Sequence, residues 1–122
     1  MTRDEILAMK PGRELDARVA EKVMGWKTNW LKTDWWEEIN PNTHHHKGLV
    51  KDFKPSTDIS AAWEVVEKMF ERGGCEIGCY GSKSGGKWFE VIVITMNGEV
   101  KVTAHTAHEA ICKAALLAVM EE

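Results

Sequence analysis

Apolar positions along the chain follow two periods, and the switch between them divides it. Leu15, Val19, Ala20 and Val23 recur at three and four residues, one stripe of a helix, with Gly25 placed to end it. Ahead of them Thr2 and Glu5 have the spacing of a capping box, which predicts a short first helix interrupted at Pro11-Gly12. From Pro55 the helical period is stronger. Ile59, Ala62, Trp63, Val66, Met69 and Phe70 repeat behind the cap candidates Ser56, Thr57 and Asp58 and ahead of Gly73-Gly74. Trp63 stands in the middle of that stripe, so the pattern assigns it to the core, where truncation to alanine costs about 3 to 5 kcal/mol.

The period then shortens to two. Cys75, Ile77 and Cys79 alternate with Glu76 and Gly78, a glycine-rich turn spans Gly81 to Gly86, and a second strand runs from Lys87 to Met96. Asn97-Gly98 is a hairpin signal, and Glu99 to His105 returns with Val100, Val102 and Ala104 on one face. In the central strand Trp88, Glu90, Ile92 and Ile94 point one way while Phe89, Val91 and Val93 point the other. Both faces are apolar over its latter half, which predicts cover on both. Thr106 and Glu109 repeat the capping-box spacing and open a last helix with a small-residue face of Ile111, Ala114, Ala115, Ala118 and Val119. The expectation is an α+β fold, an α/β/α sandwich in which a three-stranded antiparallel meander is covered by helices on both faces. No composition shift or internal repeat divides the chain, so a single domain over 1–122 is expected.

The stretch 26–54 breaks the pattern. Trp26, Trp30, Trp35 and Trp36 crowd together without a sustained period, and Asn40-Pro41-Asn42 reads as a turn, so an irregular Trp/His-rich loop insertion is expected there. Two readings of the indoles stay open: they anchor the loop onto a core, or Trp30, Trp35 and Trp36 present a contact surface. Lys27, Lys32, Lys47, Lys51 and Lys54 are nearly offset by Asp34, Glu37, Glu38 and Asp52, a mixed rather than a basic patch. His44, His45 and His46 are consecutive, and consecutive side chains diverge, which reads as an exposed polar loop and not a metal site.

Composition narrows the function. With 43% apolar and 29% charged residues the chain has the make-up of a water-soluble folded domain. Three cysteines, an odd count, come with no secretory start and no apolar run near the roughly 18 residues of a membrane span, so a reducing cytoplasm is expected. Sixteen basic residues against nineteen acidic ones leave a net charge of −3, which disfavours nucleic acid as a partner. Gly81-Ser82-Lys83-Ser84-Gly85-Gly86-Lys87 has the glycine and lysine spacing of a phosphate-binding loop. Trp88 stands where Ser or Thr is needed, however, and a strand follows in place of a helix N-terminus. The segment reads as a hairpin tip, whose donors, with Lys83 and Lys87, are available to an anionic ligand. Cys75 and Cys79 lie about 13 Å apart on an extended strand, beyond disulfide reach. Cys112 has no base near it in sequence, and His105 and His108 are either surface residues or neutral acid–base groups at the helix start. With no paired carboxylates and no nucleophile–base spacing, we assign no catalytic, cofactor-binding or metal residue, and expect no enzyme.

Three segments resemble a known family when taken together. They are Glu14-Leu15-Asp16 through Val19 to Trp26, Pro55-Ser56-Thr57-Asp58-Ile59 through Ala62 to Val66, and Thr106-Ala107 through Ala110 to Leu116. The combination resembles the phage ABA sandwich domain family, small proteins of phages and prophages of Gram-positive bacteria, with Lys27 to Lys54 as a variable stretch whose three histidines and length depart from the family pattern. The resemblance implies the α/β/α layering and brings no established activity and no catalytic residue. The functional expectation is therefore a phage or prophage accessory protein, a non-enzymatic protein-binding module in the host cytoplasm. Its partner would be a host or phage protein, met through Trp30, Trp35 and Trp36. The alternative is a small-ligand binder for a nucleotide or defence signal, with Lys83 and Lys87 supplying charge.

Overall fold

Hydroxyl and carboxylate caps set the helix starts where the sequence places them. In the computed structural model, which describes residues 2–29, 32–40 and 43–121, Thr2 Oγ1 accepts from the Glu5 N–H at 3.2 Å and opens α1 (Arg3–Ala8). The second helix, α2 (Arg13–Arg18), runs on into one π turn (Val19–Val23). Gly25, at φ +75°, lets the Trp26 N–H turn back to the Ala20 carbonyl at 2.9 Å, a conformation that strains any residue with a side chain. Leu15, Val19, Ala20 and Val23 are all buried, as their stripe predicts.

The stretch expected to be an irregular loop is a sheet. Strands β1 (Lys27–Asn29), β2 (Lys32–Asn40) and β3 (Thr43–Leu49) form an antiparallel meander, closed by a 3-10 turn at Val50–Asp52. These strands are mostly polar on both sides, so alternation does not announce them; backbone pairing holds them. Adjacent Trp35 and Trp36 take opposite faces, as neighbours on a strand must. Trp36 is only 3% exposed and belongs to the core, while Trp35 is half-buried against His46 with ring centroids 3.9 Å apart. Buried Trp26 packs on Phe53 at 4.7 Å. Trp26 and Trp36 are therefore anchors.

After that sheet, Asp58 caps α3 (Ile59–Phe70) by accepting from the Ser60 N–H at 3.0 Å. The expected meander follows: β4 (Gly74–Gly81), β5 (Lys87–Thr95) and β6 (Gly98–Ala104), antiparallel in that order, with Gly98 at φ +128° in the last turn. Thr106 Oγ1 accepts from the Glu109 N–H at 3.2 Å and starts α4 (Ala107–Glu121). Four helices and two three-stranded antiparallel sheets make an α+β sandwich.

Helix α4 lies at its centre. Every residue from Ala110 to Ala118 is buried, with β5 and β6 on one side and α1, α2, the π turn and α3 on others. Small side chains let these neighbours approach closely. Even Lys113 is inside: its ammonium donates to the Leu7 carbonyl at 2.9 Å and to Glu109 Oε1 at 3.2 Å, so it satisfies a carbonyl that the end of α1 leaves unpaired. Val91, Val93, Val100 and Val102 are buried on the α4 side of the second sheet.

The helical cover is one-sided, which departs from the expected layer on each face. On the far face Ile94 is 44% exposed, Trp88 is exposed and Ile92 is half-buried. Neighbours on the same face shield Ile92 in place of a helix. Lys101 lies opposite it and pairs with Glu90 at 3.8 Å, and Trp88 stacks on Tyr80 with centroids 5.8 Å apart. Long amphipathic side chains cover apolar carbon well enough for this.

A second departure concerns Trp63. Helix α3 turns Ala61, Ala62, Val65, Val66 and Met69 inward, and Trp63, assigned to the core by the sequence pattern, is 52% exposed. The apolar residues span two adjacent stripes, and close packing against small-residue α4 selects the narrower side chains for the inside. Removing the Trp63 side chain is thus a surface change, within about 0.5 kcal/mol by the usual behaviour of such sites.

The start of α2 and the segment before α3 are tied together by one buried polar knot. Asp16 Oδ1 accepts from the Ser56 N–H at 2.8 Å, and Ser56 Oγ accepts from the Gly12 N–H at 2.9 Å. Gly12 sits at φ +154°, a region that favours glycine. Asp16→Ala leaves the buried Ser56 N–H without its acceptor and is expected to cost about 1 to 3 kcal/mol in urea unfolding. Asp16→Asn, which keeps an acceptor, is expected to cost less.

The pH dependence of that pair has a definite sign. Burial holds the Asp16 carboxyl above its ordinary 3.8, outweighing the hydrogen bonds from Ser56 and the nearby Lys54 charge. A raised value means the fold prefers the protonated acid. Its contribution is complete below the ordinary value and is lost as pH rises through the raised one. Unfolding curves at stepped pH should show Asp16→Asn gaining on the native protein from acid to neutral.

The three thiols are free and differ in depth: Cys79 is exposed, Cys75 half-buried and Cys112 buried. Burial, reinforced by Asp16 and Glu109, pushes the Cys112 thiol far up, and burial with Glu76 raises Cys75. With an aromatic disulfide reagent at neutral pH, Cys79 should label fastest and Cys112 only on unfolding. Fast labelling of Cys112 in the folded protein would contradict its placement.

Candidate functional site

Helical geometry gathers the large apolar residues that the core leaves out of α3. At about 100° per residue, Ile59, Trp63 and Phe70 fall within about 40° of one another on the cylinder. They are 50%, 52% and 60% exposed. The inward face of α3 is already supplied by smaller residues, so this row adds little to stability. It is an indole and a phenyl ring held on a rigid element, at the surface, with no covering segment among the described residues.

Beside the row, α3 and the first sheet enclose a cleft of about 620 Å³. Its floor includes Met24, Trp26, Leu49 and Phe53. Its rims carry Glu38 and Asp52 on one side and Asp58, Glu64, Glu67 and Glu71 on the other. Two lysines also line it, and both are engaged: Lys47 with Glu38 at 3.7 Å, Lys68 with Glu71 at 3.1 Å. The site therefore joins an apolar row to an acidic cleft, an arrangement suited to holding a segment of another chain.

The residues expected from sequence to form a contact surface are not brought together here. Trp30 lies outside the described residues. Trp36 faces the core, which corrects its assignment to that surface, and Trp35 is half-covered by His46. Lys83 and Lys87 lie at and beside the tip of the β4–β5 hairpin, with the Lys87 ammonium 5.9 Å from the centre of the Phe89 ring. The tip spends its backbone on itself: the Ser82 N–H bonds to the Gly86 carbonyl at 2.9 Å, the Gly85 N–H to the Ser82 carbonyl at 3.2 Å, and Ser82 Oγ accepts from the Gly86 N–H at 3.4 Å. Three of the N–H groups that a phosphate cradle would use are thus already engaged within the tip.

The remaining chemistry-bearing side chains are spread out. His45 and His46 are on β3 opposite Glu38 and Glu37; the side chain of His44 lies outside the described residues. Among the described residues no group of three or more His, Cys, Asp or Glu is placed to hold a metal ion, and no helix is long and apolar enough to cross a membrane. A smaller cleft of about 330 Å³ lies between Trp88, His105, Glu109 and Lys113. Its lysine and glutamate neutralise each other. Sequence reasoning missed the α3 row because it placed Trp63 inside; the signal available was the breadth of the stripe, more apolar arc than one contact can cover.

Comparison with known proteins agrees with this architecture. No functionally curated protein matches the sequence. A crystal structure of a phage protein from Bacillus cereus ATCC 14579 is similar to the chain at 31% identity and a TM-score of 0.65, over 93% of this chain and 90% of that one. The family model described as the phage ABA sandwich domain matches residues 17–116, spanning the π turn, both sheets, α3 and most of α4. The chain belongs to the phage ABA sandwich domain family.

Proposed function

We propose that this phage protein is a non-enzymatic accessory module that works in the host cytoplasm by binding another protein through the outward face of α3. The observation that carries the reading is the row Ile59, Trp63 and Phe70, each at least half exposed on one stripe of a helix whose other stripe already serves the core. Aromatic side chains fixed on a rigid element lose little freedom on binding and are the commonest energetic anchors of protein interfaces. Burial keeps Cys112 protonated and shifts Cys75 the same way, which argues against either of these two as a nucleophile. Three free cysteines also suit a reducing compartment. A small anionic ligand is served less well: Lys83 and Lys87 stand by a hairpin tip in which the N–H groups of Ser82, Gly85 and Gly86 are already used.

The test is comparative affinity capture from phage-infected host cells with the native chain and Trp63→Ala, after circular dichroism shows equal folding. One protein retained by the native chain and lost by the variant is expected. With both purified, the dissociation constant should rise at least about tenfold, the scale of an aromatic anchor. Equal capture by both chains, or a partner whose affinity ignores Trp63, overturns the proposal.

A further inference from the structure

We infer that the segment taken by the outward face of α3 is basic and amphipathic, with its apolar side on Ile59, Trp63 and Phe70 and its Lys or Arg side chains at the carboxylates of the adjoining cleft. The inference rests on the protein-binding reading above and adds the partner's chemistry.

Charge carries it. Glu67, Glu71 and Glu64 follow the apolar row around the helix at about 60° to 120°, so one flank of the row is acidic along its length. Across the cleft stand Glu38 and Asp52, and Asp58 lies at the helix start. Six carboxylates thus face two ammonium groups among the described residues, and each ammonium is already held by one of the six. Asp52, Glu64 and Glu67 have no ion-pair partner among the described residues. Their mutual repulsion is relieved by cations from outside the chain.

The apolar row restricts which cations fit. Lysine and arginine lay their aliphatic stems along apolar surface while the charged head reaches a carboxylate. The exposed Trp63 ring is in addition a face to which a cation is attracted. A nucleic acid or an anionic membrane brings negative charge to this rim and is repelled. The twelve residues of α3 extend about 18 Å, so a helix of about 14 residues covers the row from end to end.

The 122-residue chain is titrated into a fluorescein-labelled leucine–lysine peptide of about 14 residues with a helical amphipathic pattern, and into its leucine–glutamate counterpart. Fluorescence anisotropy is read at about 20 mM and about 200 mM salt, either side of useful screening. The lysine peptide is expected to bind with marked salt dependence and the glutamate peptide not to bind. Trp63→Ala and the pair Glu64→Lys/Glu67→Lys should each weaken binding at least about tenfold. Glu76→Lys/Glu99→Lys, on the second sheet, should leave it within about threefold. Binding of both peptides alike, or equal loss in the two charge-reversed proteins, overturns the inference. So does a concentration-dependent dimer in sedimentation that Trp63→Ala abolishes, which would name a second copy as the occupant. The two failures are distinguishable. If the captured cellular partner depends on Trp63 but ignores Glu64→Lys/Glu67→Lys, the charge assignment falls and protein binding stands; if it ignores both, both fall.

Discussion

The structure depends on the burial of α4. A helix enclosed from Ala110 to Ala118 must present small or exactly accommodated side chains all round, and apart from one lysine this segment carries alanine, leucine, isoleucine and cysteine. The enclosure dictates the placement of its neighbours. The valines of β5 and β6 close one side, while the π turn, α1 and α3 close others. Lys113 shows how strict the constraint is, since its ammonium enters the interior only with a backbone carbonyl and a carboxylate already in place.

From that constraint follows the outward row of α3. Close approach to α4 favours the alanines and valines of α3 on the inside, and the wide indole of Trp63 is left on the outer edge with Ile59 and Phe70. The acidic cleft follows from the first sheet, which is fastened through Trp26, Trp36 and Phe53 and stands opposite the glutamates of α3. Packing of the core and an exposed apolar row are thus two outcomes of one helix rotation.

Much of this was legible in the residues, and the failures have physical causes. Thr2, Asp58 and Thr106 act as caps, Asn97-Gly98 makes the turn, and the meander has the order read from its period of two. The first sheet was hidden because Lys32–Asn40 and Thr43–Leu49 carry no clean alternation; the adjacent pair Trp35 and Trp36, one in and one out, was the trace it left. The expectation of helices on both faces of the second sheet treated Ile92 and Ile94 as needing a helix, whereas their cross-strand neighbours cover the first in part and the second stays open. The candidate site was illegible for a related reason. Periodicity locates a stripe of apolar residues but not which edge of it a neighbouring helix will claim.

Hydroxyl-radical footprinting read by mass spectrometry tests this account most directly, because it compares tryptophans within one molecule. Trp63 and Phe70 should oxidise rapidly in the folded protein, with Trp26 and Trp36 protected until it unfolds. Protection of Trp63 equal to that of Trp36 would mean that α3 is rotated to put its indole inside, and the account would be wrong.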